Sequence, residues 1–221
     1  MGVHVRPTET AYATQLHRGG WRKRAFDVAI AALGLLVLAP LFLVIAALIK
    51  LQDGGPVVFG HWRVGFRGRA FRCWKFRSMR PDAEGRLEDV LAADPRAAAE
   101  WGARRKLSAD PRVTRVGKWM RRLSLDELPQ LWNVLAGEMS LVGPRPVTVE
   151  ELARFGEAQY AYLNLRPGIS GLWQVSGRSD VSYEKRVLIE LSYWQGGWRL
   201  SGDLVILLKT IPLVLSGRGA Y

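Results

Sequence analysis

The sequence predicts a mostly helical α+β monotopic membrane protein, with an N-terminal re-entrant helix–break–helix, a small β-hairpin and interfacial amphipathic helices. Three observations predict it. From Val28 to Ile49 run 22 residues without a charge, with Pro40 near the midpoint. One short apolar region with strand-like alternation follows, and the remaining patterned segments repeat at helical spacing. Lys and Arg outnumber Asp and Glu by 32 to 20, a net charge of +12, which implies an anionic partner: an acidic membrane surface, phosphorylated substrates or nucleic acid. The 221 residues suffice for one domain with a real core.

Residues 1–20 read as a flexible polar lead, 21–52 as the membrane helix and 53–221 as a cytoplasmic domain that carries the chemistry. A helix over Val28–Ile49 would be roughly 33 Å long, about the hydrocarbon thickness. A simple spanning anchor conflicts with two features. Pro40 removes a backbone hydrogen bond and predicts a kink or break. Both flanks are basic, with Arg22, Lys23 and Arg24 before the run and Lys50, Arg63 and Arg67 after it. Positive flanks prefer the cytoplasmic side, so a re-entrant helix with both ends cytoplasmic resolves the conflict. A secretory signal fits poorly, because the run starts late and lacks a small-residue cleavage site. Asp53-Gly-Gly-Pro56 predicts a turn, and Val57–Phe59 with Phe71–Phe76 the strands of a hairpin. Residues 82–106 form a charged, Ala-rich helical region. Val113, Val116, Trp119, Met120 and Leu123 recur at helical spacing among Arg115, Lys118, Arg121 and Arg122, a basic amphipathic helix suited to a membrane interface or to an ordinary surface. Leu204–Leu215 is apolar but short, and carries Lys209 and Pro212.

The chemistry concentrates in Leu123–Gly137. Leu128, Leu131, Trp132 and Leu135 mark one helical face, and Gly137 a helix stop. Pro129 fits only a first turn, which places Asp126 beside the helix N-terminus, where the helix dipole favours the carboxylate anion needed for attack on phosphorus. The plainer alternative makes Asp126 an N-cap, or Ser124 and Glu127 a capping box. Eight Lys or Arg residues lie from Arg104 to Arg122 with only Asp110 among them. Two adjacent carboxylates at the end of such a run suit a Mg²⁺ and phosphate site with Asp126 and Glu127 as ligands. In Gly143-Pro-Arg-Pro146 the two prolines present Arg145 stiffly, as bidentate phosphate binding requires. Arg166 and Arg178 stand on glycine-containing turns, and Lys75–Arg80 offers further cations for phosphates. Cys73 is the single cysteine, so no intrachain disulfide forms and a reducing compartment is expected. His4, His17 and His61 have no zinc spacing, and no phosphate-binding loop or dinucleotide fingerprint is present.

Four blocks together resemble a known family: KRAFDVAIA (23–31), KFRSM (75–79), DPRVTRVGKWMRRLSLDELPQLWNVLAGEMSLVGPRP (110–146) and RPGISGLWQVSGR (166–178). They look like the bacterial sugar transferases, the monotopic polyprenyl-phosphate phosphoglycosyl transferases, and the resemblance covers about residues 22–221. The length and the Ser216–Tyr221 tail look most like the short exopolysaccharide galactose-phosphate transferases. The resemblance implies an enzyme of the bacterial inner membrane with its catalytic domain on the cytoplasmic face. It would move a hexose-1-phosphate from a UDP-sugar (galactose or glucose) to undecaprenyl phosphate and release UMP. By that resemblance Asp126 is the nucleophile, Asp126 and Glu127 share Mg²⁺, and Lys75, Arg121, Arg145 and Arg178 contact phosphate or nucleotide. Membrane lipid is an implied partner and nucleic acid is not; a homo-oligomer is left open. Two departures stand out. The break carries Ala39 where relatives often have Ser, and Glu190 stands where relatives usually carry Asp before a Tyr, ahead of Asp203. A membrane-tethered basic anion-binding or scaffold protein without catalysis accounts for the charge and the apolar run, but not for the acid pair beside Gly143–Pro146.

Overall fold

The computed structural model describes residues 19–104, 107, 110–177 and 183–216. It begins with one long helix, α1 (Gly20–Asp53), which ends on Gly54 in the left-handed conformation that glycine tolerates. Helical backbone runs through Pro40, so the expected helix–break–helix is not a break in conformation. At 1.5 Å per residue α1 is roughly 50 Å long if straight, and it is long and apolar enough to cross a membrane.

Its sequence divides lengthwise. Lys23, Asp27, Ala31, Ile45 and Ile49 are buried, and Leu35, Leu38, Leu41 and Phe42 fill the positions between them against the body. Ile30, Leu33, Leu36, Val37, Leu43, Val44, Leu48 and Leu51 are exposed. The two sets alternate at helical spacing, so one face packs on the protein along nearly the whole helix and the other is bare.

Strands β1 (Val58–Val64) and β2 (Ala70–Phe76) form the expected antiparallel hairpin, with Arg63 opposite Phe71 and Phe59 opposite Lys75. Helices α2 (Ala83–Ala93) and α3 (Pro95–Arg104) fill the Ala-rich region, and α4 (Arg115–Arg122) the basic amphipathic segment, capped by Thr114. After a 3₁₀ turn (Leu125–Glu127) comes α5 (Gln130–Ala136), stopped by Gly137 as its sequence predicts. Strand β3 (Ser140–Val142) pairs in parallel with β4 (Gly168–Ser170), and α6 (Val149–Ala153) and α7 (Gln159–Leu163) lie between them in the chain. Short α8 (Leu172–Val175), then α9 (Tyr183–Gln195) and α10 (Leu200–Ser216), complete the described chain.

Three apolar clusters hold these elements. Ala31, Phe71, Cys73, Val134, Met139, Leu141 and Ile206 join α1, the hairpin, α5, β3 and α10. Ile45, Ile49, Phe76 and Met120 join the far end of α1 to β2 and α4. Val64, Val147, Leu152, Phe155, Tyr162 and Leu163 form the third. Polar side chains complete the joints. Asn133, fully buried, accepts from the Trp74 N–H at 3.0 Å and donates to the Arg72 carbonyl at 2.7 Å, pairing the edge of β2 as a strand would. Arg24 donates to the carbonyls of Val134 and Leu135 and caps the end of α5.

Candidate active site

The hairpin and the turn before α5 bring the acids and cations together. Lys75 leaves β2 and its Nζ lies 2.5 Å from Oε1 of Glu127. Asp126, 8 % exposed, sits beside that pair within the fields of Lys75 and Arg121. Arg121 approaches from the last turn of α4, where its Nε donates to Ser78 Oγ at 2.9 Å. A small, open cleft lies against this group, lined by Arg63, Cys73, Lys75, Glu127, Gln130, Arg145, Pro146, Gly168, Ile169 and Gln174. Asp126 is not on that lining, although its neighbours Glu127 and Lys75 are.

Neither capping alternative is realised. Ser124 makes no side-chain cap and has a positive φ of 52°, and α5 has Pro129 at its N-cap position with no side-chain cap. The electrostatics also differ from the sequence expectation. Burial raises the Asp126 carboxyl above its ordinary value and the neighbouring Glu127 adds to this, against Lys75 and Arg121. Desolvation therefore outweighs any help from the short helix behind it. Burial likewise pulls Arg121 down, opposed first by Asp126. Cys73 is pushed up to about 11 by burial, so its thiol is a poor nucleophile despite lying in the cleft.

The turn that carries Arg145 is fixed by close backbone approaches. A Cβ on Gly143 would lie 2.3 Å from the Arg166 carbonyl oxygen, and one on Gly168 2.1 Å from the Gly143 nitrogen. Behind the turn, Glu190 is 7 % exposed and accepts from the Arg145 N–H at 3.3 Å. Arg186 lies 3.8 Å from Glu190 and stacks 4.6 Å from the centre of the Trp173 ring. Glu190 thus supports the Arg145 turn from inside.

Of the residues singled out from sequence, Asp126, Glu127, Lys75, Arg121 and Arg145 converge here, and Arg178 lies outside the described residues. Other cations went elsewhere. Arg77 pairs with Asp53 at the end of α1, and Arg166 donates to the Gly137 carbonyl at 2.7 Å. Asp203 is structural: it is buried and accepts from Lys23 at 2.6 Å, Trp198 Nε1 at 2.9 Å and Tyr193 Oη at 3.0 Å. Sequence reasoning missed Arg63, Gln130 and Gln174. Strand alternation could have found Arg63, since in this register it shares a hairpin face with Cys73 and Lys75. No set of three or more His, Cys, Asp or Glu side chains gathers into a metal cage among the described residues. Two adjacent carboxylates nonetheless suit Mg²⁺, which often takes one or two protein carboxylates and completes its shell with substrate phosphates and water.

The family model for "Bacterial sugar transferase" matches residues 18–217. "Exopolysaccharide production protein ExoY" of Rhizobium meliloti is 52% identical over 215 residues, covering 97% of this chain and 94% of its own. "UDP-galactose-lipid carrier transferase" of Erwinia amylovora is 52% identical over 93% of this chain, and "Undecaprenyl-phosphate galactose phosphotransferase" of Salmonella typhimurium 48% identical over 90%. The alignments span 43% and 41% of those two longer proteins. A match across nearly the whole chain, through the blocks that build the cleft, makes this protein a member of the bacterial sugar transferase family.

Proposed function

We propose that the chain transfers a hexose-1-phosphate from a UDP-sugar to undecaprenyl phosphate and releases UMP, through a covalent phospho-sugar on Asp126, as an opening step of exopolysaccharide synthesis. The observation that carries the reading is the burial of Asp126 within the fields of Lys75 and Arg121, next to Glu127, which with Lys75 lines a cation-rich cleft. An Oδ of Asp126 forms a bond to the β-phosphorus while the bond from that phosphorus to the UMP oxygen breaks. An oxygen of undecaprenyl phosphate then bonds the same phosphorus and the aspartyl oxygen leaves. Lys75 and Arg121 offset the cost of ionising a buried carboxylate, and Arg145 and Arg63 hold phosphoryl oxygens. Asp126 and Glu127 would hold a Mg²⁺ arriving with the diphosphate, which would neutralise phosphoryl charge.

The re-entrant membrane seat belongs to the same proposal. Lys23 ties one end of α1 to Asp203 and Asp53 ties the other to Arg77, so both ends remain on the body. Pro40 lies on the exposed face, where a proline bend turns both ends towards the protein. The bare apolar stripe between them is then the surface immersed in lipid, with the catalytic domain on the cytoplasmic face of the inner membrane.

Incubation with a panel of UDP-sugars, undecaprenyl phosphate and Mg²⁺ tests the chemistry. UMP is the expected nucleotide product; UDP would mean glycosyl transfer and refute the scheme. Galactose is the first sugar to try, because two similar relatives are named for it. Asp126→Asn should lower turnover at least about 10³-fold, as loss of a covalent nucleophile does. Retention of wild-type turnover by that variant would remove Asp126 from the reaction.

A further inference from the structure

Gln130 is 2 % exposed, yet its amide makes no hydrogen bond among the described residues, and it lines the cleft. It follows Glu127 by three residues, about one helical turn, and both side chains line the cleft. A second primary amide lines the same cleft. Gln174 donates through Nε2 to the Ile169 carbonyl at 3.2 Å, which fixes the orientation of its amide, and its Oε1 is buried without a hydrogen-bond donor. Leaving a buried amide oxygen unsatisfied is costly, so Gln174 Oε1, beside a cleft that Gln130 also lines, calls for a hydrogen-bond donor.

The charged groups of the cleft, Lys75, Arg63 and Arg145, are suited to phosphates. Gln130 and Gln174 are neutral, and between them need both donors and acceptors. Hydroxyl groups supply both. A pyrimidine ring also hydrogen-bonds and can stack on the Arg63 or Arg145 guanidinium, so binding of UDP and UMP is the contrast that separates base from sugar. We propose that Gln130, together with Gln174, reads the hydroxyls of the transferred sugar. The assignment rests on the phosphoglycosyl transferase reading above and adds to it where the sugar lies: against the α5 and α8 residues of the cleft.

Calorimetric binding to the full chain in detergent micelles tests it, with UDP, UMP and the tightest-binding UDP-sugar of the panel. Gln130→Leu, close in shape, should weaken the UDP-sugar about tenfold and leave UDP and UMP within twofold of wild type. Gln174→Leu should act in the same direction. Equal weakening of UDP, UMP and UDP-sugar would place Gln130 on the nucleotide and overturn the assignment. So would an unchanged UDP-sugar affinity. A thermal midpoint close to wild type shows that the variant is folded; if Gln130→Leu is not, Gln130→Glu, which keeps an acceptor and loses the donors, is measured the same way with the same criteria. Failure of the wild-type chain to bind any UDP-sugar would instead sink the transferase reading, a result distinct from insensitivity to Gln130.

Discussion

Two residues outside the acid pair show how narrowly this site is tuned. A Cβ on Gly117 would lie 2.0 Å from the Ser78 carbonyl oxygen, which is backbone and does not yield easily. The contact lets α4 press against the segment after β2 and aim Arg121 at Asp126. Gly117→Ala should therefore cost at least about 2 kcal/mol and lower turnover by displacing α4, read as a drop in thermal midpoint together with kcat. An unchanged midpoint would show that α4 tolerates the shift. Glu190 makes a different prediction. Burial pushes its carboxyl up to about 7 from 4.5, against the favourable charges of Arg186 and Arg145. The folded state thus binds this proton more tightly than the unfolded chain. Its contribution to stability is full below about pH 4.5 and falls as the pH rises to about 7, by up to roughly 3 kcal/mol. Glu190→Gln should melt higher relative to wild type at pH 8 than at pH 5. An equal difference at both pH values would remove Glu190 as the titrating group.

At the level of elements, helix positions were legible in the sequence where a stop or cap signal accompanied the period. Gly137 ends α5 as expected, and the hairpin strands Val58–Val64 and Ala70–Phe76 include or overlap the expected Val57–Phe59 and Phe71–Phe76. Pro40 does not break the helix, because a proline on the exposed face of a long helix costs one hydrogen bond without ending it when packing on the other face holds it. The cap reading of Asp126 failed for a related reason: spacing cannot tell a turn that solvates a carboxylate from one that buries it. The joints between elements were invisible, since nothing local marks Asn133 as the partner of a strand edge. The clearest joint is Lys23, 4 % exposed and set between Asp203 at 2.6 Å and Asp27 at 3.5 Å. Lys23→Met leaves two buried carboxylates without their cation and should cost about 3–5 kcal/mol. Limited proteolysis should then cut near Trp198 faster than in wild type; unchanged cleavage would show that α10 does not depend on this joint.

The whole molecule offers a bare apolar stripe along α1 and a second on α10 through Leu204, Leu208, Ile211 and Leu215. Surfaces of this extent on one small protein mark a membrane or a partner. The re-entrant reading predicts that Trp21 and Leu51, exposed near the two ends of α1, lie on one side of the bilayer. Trp21→Cys and Leu51→Cys provide the test, because the native Cys73 is buried and its thiol is pushed up to about 11. Both new cysteines should react with an impermeant maleimide in inside-out vesicles and neither in intact cells. Labelling of the two from opposite sides would make α1 a span.

The Lys23–Asp203 joint also orders events during synthesis. Its two halves are 180 residues apart. At typical elongation rates the ribosome needs roughly 10–40 s to make the second after the first. For that interval the apolar helix has left the exit tunnel while a clamp at its base has no counterpart. On the re-entrant proposal the nascent chain therefore commits α1 to lipid before the body can hold both of its ends, and final topology is a late, post-insertion step completed when α10 arrives.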